Sequence, residues 1–136
     1  MSDPLYNWLD QRCAGVLLHP TAIPGDQGIG SLGKDARRFI DFLKASSMQY
    51  WQVCPLGPTG FGDSPYQSFS AFAGNPYLID LHQLVSCGLL KDADLVALQV
   101  LPKENVDYGE IYKRFWPILQ TAYDRYAKLK TKPIEL

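Results

Sequence analysis

No glutamate occurs in this 136-residue chain before Glu104. A site that cleaves a glycosidic bond pairs a nucleophile or base with a protonated acid, and one of the two is often glutamate. The loops before Glu104 therefore supply no convincing pair for that chemistry. Cysteine is also scarce. Cys13, Cys54 and Cys87 are odd in number and show no C-x-x-C spacing. That argues against a disulfide framework and suits the reducing cytoplasm. Each reads as a small buried apolar residue. The two histidines, His19 and His82, have no carboxylate or cysteine pattern beside them, which makes a poor metal site. No apolar run is long enough to span a membrane. The N-terminus, MSDPLYNWLDQRC, lacks the apolar core of a secretory signal. Neither sign of charge dominates: the formal net charge is −1, which gives no reason to expect nucleic acid or an anionic membrane as a partner. There is no G-x-S-x-G nucleophile elbow.

Hydrophobic residues make up 46% of the chain, a globular composition, and the length suits one ordinary domain. AGVLLHP (Ala14–Pro20) is a short apolar run closed by proline and reads as a buried strand. From Leu32 the apolar residues Leu32, Ala36, Phe39, Ile40 and Leu43 recur at helical spacing, with Arg37, Arg38, Asp41 and Lys44 opposite. YWQVCPL (Tyr50–Leu56) reads as a second strand. A helical crossover between two such strands predicts that they run parallel, and the segments that follow each strand then share the edge where α/β folds bind ligands. YLIDL (Tyr77–Leu81) reads as a short strand. Asp80 caps a helix from Leu81, with Gln83 at the reciprocal position and Gly88 at its end. The last third reads as helical: DADLVALQ, then about Tyr108 to Lys130. On the longer helix, Tyr108, Ile111, Tyr112, Phe115, Leu119, Ala122, Tyr126 and Leu129 form one stripe, and Pro117 is expected to kink or split it.

GDQGIGSLGK (Gly25–Lys34) fits G-x-G-x-x-G and most of a P-loop. Both motifs fail on context. About eight residues separate the first strand's end from Gly28, whereas the dinucleotide turn follows its strand directly. No carboxylate stands at the end of the second strand, and Asp35 occupies the position where a P-loop needs serine or threonine. An acid there suits the first turn of a helix instead.

The long segment GPTGFGDSPYQSFSAFAGNP (Gly57–Pro76) is of a kind that is usually functional. Flat rings stack on apolar sugar faces and short polar groups meet hydroxyls. Phe61, Tyr66, Phe69 and Phe72 stand here among Asp63, Ser64, Gln67, Ser68 and Ser70. Phe69 and Phe72 are expected to form the loop's own small core, and Tyr66, after Pro65, to be exposed. Asp26 and Asp63 lie in the two ligand-edge loops; either could contact a hydroxyl-rich ligand or simply cap a turn.

GVLLHPTAIPGDQGIGSLG, YWQVCPLGPTGFGDSPYQSFSAFAGNPYLIDL and VDYGEIY together resemble the N-terminal part of the 4-α-glucanotransferases, the amylomaltase or disproportionating-enzyme family. The resemblance runs from about Arg12 to Tyr112. It implies an α/β fold that starts a (β/α)8 TIM barrel, incomplete in this chain. Residues 1–56 would hold the N-terminal segment and first β-α-β unit, and 57–136 a glucan-contacting loop and the start of an inserted helical subdomain. It also implies a retaining transfer of α-1,4-glucan segments to a sugar hydroxyl, with an aspartate nucleophile, a glutamate acid/base, a third aspartate holding hydroxyls, and no cofactor. The expected partners are α-1,4-glucans and maltooligosaccharides.

Carried across by position, Ser64 and Tyr66 match the loop that approaches the donor sugar. Phe61 matches a ring of a second glucan groove, where several relatives have tyrosine, and Tyr112 matches a second aromatic of that groove. With Asp63 these are the expected substrate-binding residues. The family's catalytic carboxylates lie on later strands and are expected beyond Leu136, which accounts for the missing glutamates. Two readings follow: the start of a glucanotransferase, inactive alone, or a non-catalytic glucan-binding module.

Overall fold

The structure is a computed structural model and describes residues 11–60, 62–70 and 72–129. Strand β1 (Gly15–Leu17) is followed by helix α1 (Lys34–Ala45) and strand β2 (Tyr50–Gln52). The strands pair in parallel, Gly15 opposite Tyr50, Val16 opposite Trp51 and Leu17 opposite Gln52. The expected β-α-β unit is therefore present, with shorter strands. The His19 side chain caps a 3-10 turn at Pro20–Ala22, and proline there removes a ladder donor. Helix α1 lies against β2 through Phe39, which meets the Trp51 ring edge-on at 5.2 Å. The Trp51 indole donates to the Leu18 carbonyl at 2.7 Å. Asp35 stands in the first turn of α1 and Lys44 in the last, both on the favourable side of the helix dipole.

The stretch expected as a strand at Tyr77–Leu81 is not one. Asn75 accepts the Tyr77 N–H and caps a 3-10 turn at Pro76–Leu78; local capping by a short amide outcompetes strand pairing. Helix α2 (Leu81–Ser86) then starts as expected, with Asp80 accepting the His82 N–H. Gly88 follows it at φ +74°, a left-handed position that glycine fills without strain. A 3-10 stretch at Asp92–Leu98 leads to helix α3 (Tyr108–Ala127). Pro117 does not split α3, which runs through it for 20 residues. The Arg125 guanidinium grips both oxygens of Asp94, at 2.6 and 3.2 Å, and also donates to the Leu89 carbonyl. These bonds hold the Asp94 carboxyl below its ordinary range.

The core is lopsided. Leu81, Leu89, Leu90, Leu95, Leu98, Leu101, Ile111, Phe115, Ile118 and Ala122 form one buried cluster, and Ile29 alone joins it from the residues before β2. Leu17, Ile40 and Phe42 remain 61%, 49% and 58% exposed. The cysteines depart from expectation: Cys13 and Cys87 are exposed and Cys54 is half-buried. Among the described residues no helix is long and apolar enough to cross a membrane.

The glycine-rich loop Gly25–Gly33 joins the two parts. The Gly30 N–H donates to the Thr21 carbonyl and the Leu32 N–H to the Leu78 carbonyl, both at 2.9 Å. The Gln27 side chain is 4% exposed; its amide donates to the Ile79 carbonyl at 3.0 Å and accepts the Leu81 N–H at 3.2 Å. A β-carbon on Gly30 would press into the Pro20 carbonyl and reach the Ile23 carbonyl at 2.6 Å. Gly30→Ala should therefore destabilise the chain by about 1–3 kcal/mol, the usual cost of overpacking. Gly74→Ala, with nothing within 4 Å of the new carbon, should cost nothing measurable. Urea denaturation of the two variants checks this; equal midpoints would refute the joint's role.

Candidate functional site

The segment after β2 is shaped by its own backbone. An isolated antiparallel bridge joins Thr59 to Ser68. The Ser68 hydroxyl donates to the Ser70 carbonyl, and the Ser70 hydroxyl accepts from the Phe72 and Ala73 N–H groups. Asn75 is 7% exposed and donates to the Gly57 carbonyl at 3.4 Å. Ser68 and Ser70 therefore serve the turn rather than an open surface. Gly62 and Asp63 lie consecutively at φ +86° and +53°. Aspartate is among the few residues other than glycine that enter this region readily.

These turns place Asp63 in a groove of about 650 Å³, with Tyr77 from the 3-10 turn and Tyr108, Tyr112 and Trp116 from α3. Residues 108, 112 and 116 fall at i, i+4 and i+8, one face of a helix. Tyr77 is the hub: its ring meets Tyr108, Phe115 and Trp116 edge-on at 6.5, 5.5 and 6.4 Å. Burial pushes the Tyr77 phenol up, the Trp116 side chain opposes this by hydrogen bonding, and Tyr112 and the Asp63 carboxylate add to the rise. Burial also raises the Tyr108 phenol, again with Asp63 adding to it. Both phenols thus stay protonated donors beside a single carboxylate acceptor. The groove offers exposed ring faces at Tyr112 and Trp116, 64% and 43% accessible. It suits a neutral ligand with hydroxyls and apolar faces. Among the described residues no cluster of three or more His, Cys, Asp and Glu side chains could hold a metal ion.

Of the residues singled out in the sequence, Asp63 and Tyr112 come together here. Tyr112 stands on the open flank of α3, beside the buried Ile111, Phe115, Ile118 and Ala122. Ser64 and Tyr66 stand further along the loop, outside the groove lining; Tyr66 is 76% exposed, as expected. Phe61 lies outside the described residues, between Gly60 and Gly62, both of which line the groove. Phe69 and Phe72 do not form a loop core: they are 82% and 100% exposed, because the turns of Ser68 and Ser70 bring no apolar surface over them. Asp26 borders a different concavity with Gln27, His82 and Lys103. Tyr77, Tyr108 and Trp116 were not expected in a site; the i, i+4, i+8 spacing of residues 108, 112 and 116 was the signal for two of them.

Fold and groove define an α/β protein with an open groove formed after a parallel strand pair. The profile of the 4-alpha-glucanotransferase family matches residues 18–135, and the chain belongs to that family. The 4-alpha-glucanotransferase of Thermus thermophilus is 54% identical over 124 residues, 91% of this chain and 24% of the relative. That of Synechocystis is 44% identical over 118 residues, 87% of this chain and 23% of the relative. The amylomaltase of Streptococcus agalactiae, solved in complex with acarbose, superposes with a TM-score of 0.83 at 41% identity, over 88% of this chain and 24% of that one. The chain thus spans about a quarter of the length of the relatives it matches.

The raised phenols fix the sign of an alkaline response. Between the ordinary tyrosine value of 10.0 and the higher folded values, the folded chain binds more protons than the unfolded one. Their contribution is therefore fully present below pH 10.0 and is lost as pH rises through the folded values. Denaturation at about pH 9 and about pH 11 should give a shallower alkaline loss in the Tyr77→Phe/Tyr108→Phe variant than in the parent. Identical losses would contradict the burial of these phenols.

Proposed function

We propose that this chain is the glucan-contacting N-terminal part of a 4-α-glucanotransferase, which moves α-1,4-linked segments to a sugar hydroxyl with retention. The observation that carries this reading is the groove itself, with Tyr112 and Trp116 as stacking platforms and Asp63, Tyr77 and Tyr108 as hydroxyl partners. Sugar rings need this combination of flat apolar faces and fixed polar groups. Tyr112, in the groove lining, is a residue that the family resemblance assigns to a second glucan groove, which supports this reading. Ser64 and Tyr66, further along the same loop, are assigned to the donor sugar.

A retaining transfer needs two carboxyl groups. The family resemblance puts the nucleophile and the acid/base on later barrel strands, and both are assigned to chain outside these 136 residues. On this reading residues 1–56 begin a (β/α)8 barrel and residues 57–136 form the glucan-contacting loop and the start of a helical subdomain. Further barrel strands and helices would cover Leu17, Ile40 and Phe42, whose exposure is high for aliphatic and aromatic side chains beside a sheet. A glucan-binding module without catalysis is the second reading, favoured by the same groove, whose rings and hydroxyl partners could hold a sugar without any catalytic group.

Titrating the 136-residue chain with maltoheptaose should change the tryptophan fluorescence. Tyr112→Ala should weaken binding about tenfold, which corresponds to about 1.4 kcal/mol and is near the top of the range for one aromatic contact. The chain alone should not disproportionate maltotriose, whereas the longer polypeptide that carries it should. Absence of binding in parent and variant alike would refute the glucan reading; turnover by the 136 residues would refute the placement of the acids.

A further inference from the structure

Tyr66 is the aromatic assigned to the donor sugar, yet little packing holds it. Its ring is 76% exposed, and the neighbouring Phe69 and Phe72 give the loop no core to lean on. The base of the loop is fixed by the Thr59–Ser68 bridge. Within its own turn, the Tyr66 N–H reaches the Ser64 hydroxyl at 3.4 Å. Beyond that turn, its hydroxyl lies 3.6 Å from Cys54 Sγ. Cys54 follows β2 by two positions, on chain held from the other side where His19 Nε2 meets the Pro55 carbonyl at 3.3 Å. The sulfur is half-buried.

We propose that Cys54 is a positioning residue for glucan recognition: its sulfur accepts the Tyr66 hydroxyl and pins that ring against the carboxyl end of β2. This rests on the assignment of Tyr66 to the sugar. A phenol is the better donor of the pair and sulfur a weak acceptor, and the Tyr66 phenol is raised chiefly by its hydrogen bond to Cys54, as holding its proton requires. The bond is weak enough that a small change at the sulfur releases the ring. Because the tether passes through a thiol, any group added to that thiol takes the place of the Tyr66 hydroxyl. Glucan binding then responds to modification of a cysteine that does not itself touch sugar.

The test uses the Cys13→Ser/Cys87→Ser background, which leaves Cys54 as the sole thiol. Iodoacetamide labelling, followed by peptide mass mapping, should be about threefold faster in Tyr66→Ala than in the parent. Tyr123→Ala, at an exposed tyrosine of α3, should leave the rate unchanged. Labelled protein and Cys54→Ala should each bind maltoheptaose about threefold more weakly, in line with the net worth of one hydrogen bond. Cys54→Ser, which keeps a polar acceptor, should recover most of the loss, while the urea midpoints of all these variants coincide. Equal labelling rates in parent and Tyr66→Ala would overturn the tether. Faster labelling in Tyr66→Ala with unchanged maltoheptaose affinity throughout would leave the contact standing and overturn the assignment of Tyr66 to glucan.

Discussion

One buried amide holds the two parts of this chain in register. Gln27 donates to the Ile79 carbonyl and accepts the Leu81 N–H. It thus satisfies the backbone on both sides of the bend that leads into α2. An unsatisfied group at either place would cost about 1–3 kcal/mol. The same bend carries Leu78, whose carbonyl accepts from Leu32, and Asp80, which caps α2. Ile29, two residues on from Gln27, is the point at which the loop enters the helical core. The strand pair contributes almost nothing to that core, so its placement against the helices depends on this polar joint more than on apolar packing.

The groove follows from that arrangement. Once residues 75–81 are held by Asn75 and Gln27, Tyr77 is fixed between the loop after β2 and the first turns of α3. From there it can meet Tyr108, Phe115 and Trp116 edge-on. The ring contacts on its inner side run into the core through Phe115, which is fully buried. The outer side, at Tyr112 and Trp116, stays open. The left-handed pair Gly62–Asp63 then brings a carboxylate to the opposite wall. The groove is thus a surface extension of the core, joined to it through the Tyr77–Phe115 contact.

Much of the fold was legible in the sequence because local signals and tertiary demands agreed there. The apolar run after Ala14, the helical spacing from Leu32 and the aromatic run at Tyr50 place β1, α1 and β2. Asp80 and Gly88 mark the ends of α2 as capping chemistry predicts. YLIDL failed because alternation of apolar residues does not register that Asn75 and Pro76 favour a capped turn. Tyr108 packs against the core as its place on the stripe suggests, while Tyr112, read both as part of that stripe and as a glucan contact, lines the groove; helical spacing alone does not say which flank of a stripe stays open. Ile118 is buried and Leu119 packs against the same cluster, so the packing face of α3 is broader on that flank than the stripe. Tyr112 lies on the other flank and faces solvent. Phe69 and Phe72 failed for a related reason: composition suggested a core, but the serines beside them close turns that point the rings outward.

Two of the exposed apolar surfaces of this chain differ in chemistry. Beside the strand pair the exposed groups are Leu17, Ile40 and Phe42, which offer no donor or acceptor. Water is displaced from such a face at no polar cost, so it suits apolar packing against more protein. In the groove Tyr112 presents a hydroxyl, the Trp116 indole is already bonded to the Tyr77 phenol, and the Asp63 carboxylate and the Tyr77 and Tyr108 hydroxyls stand among them. Protein packing there would have to satisfy every one of those groups, whereas a ligand dense in hydroxyls satisfies them directly. On the proposed reading, the balance of donors and acceptors, more than the amount of exposed ring surface, therefore distinguishes the binding face from the packing face.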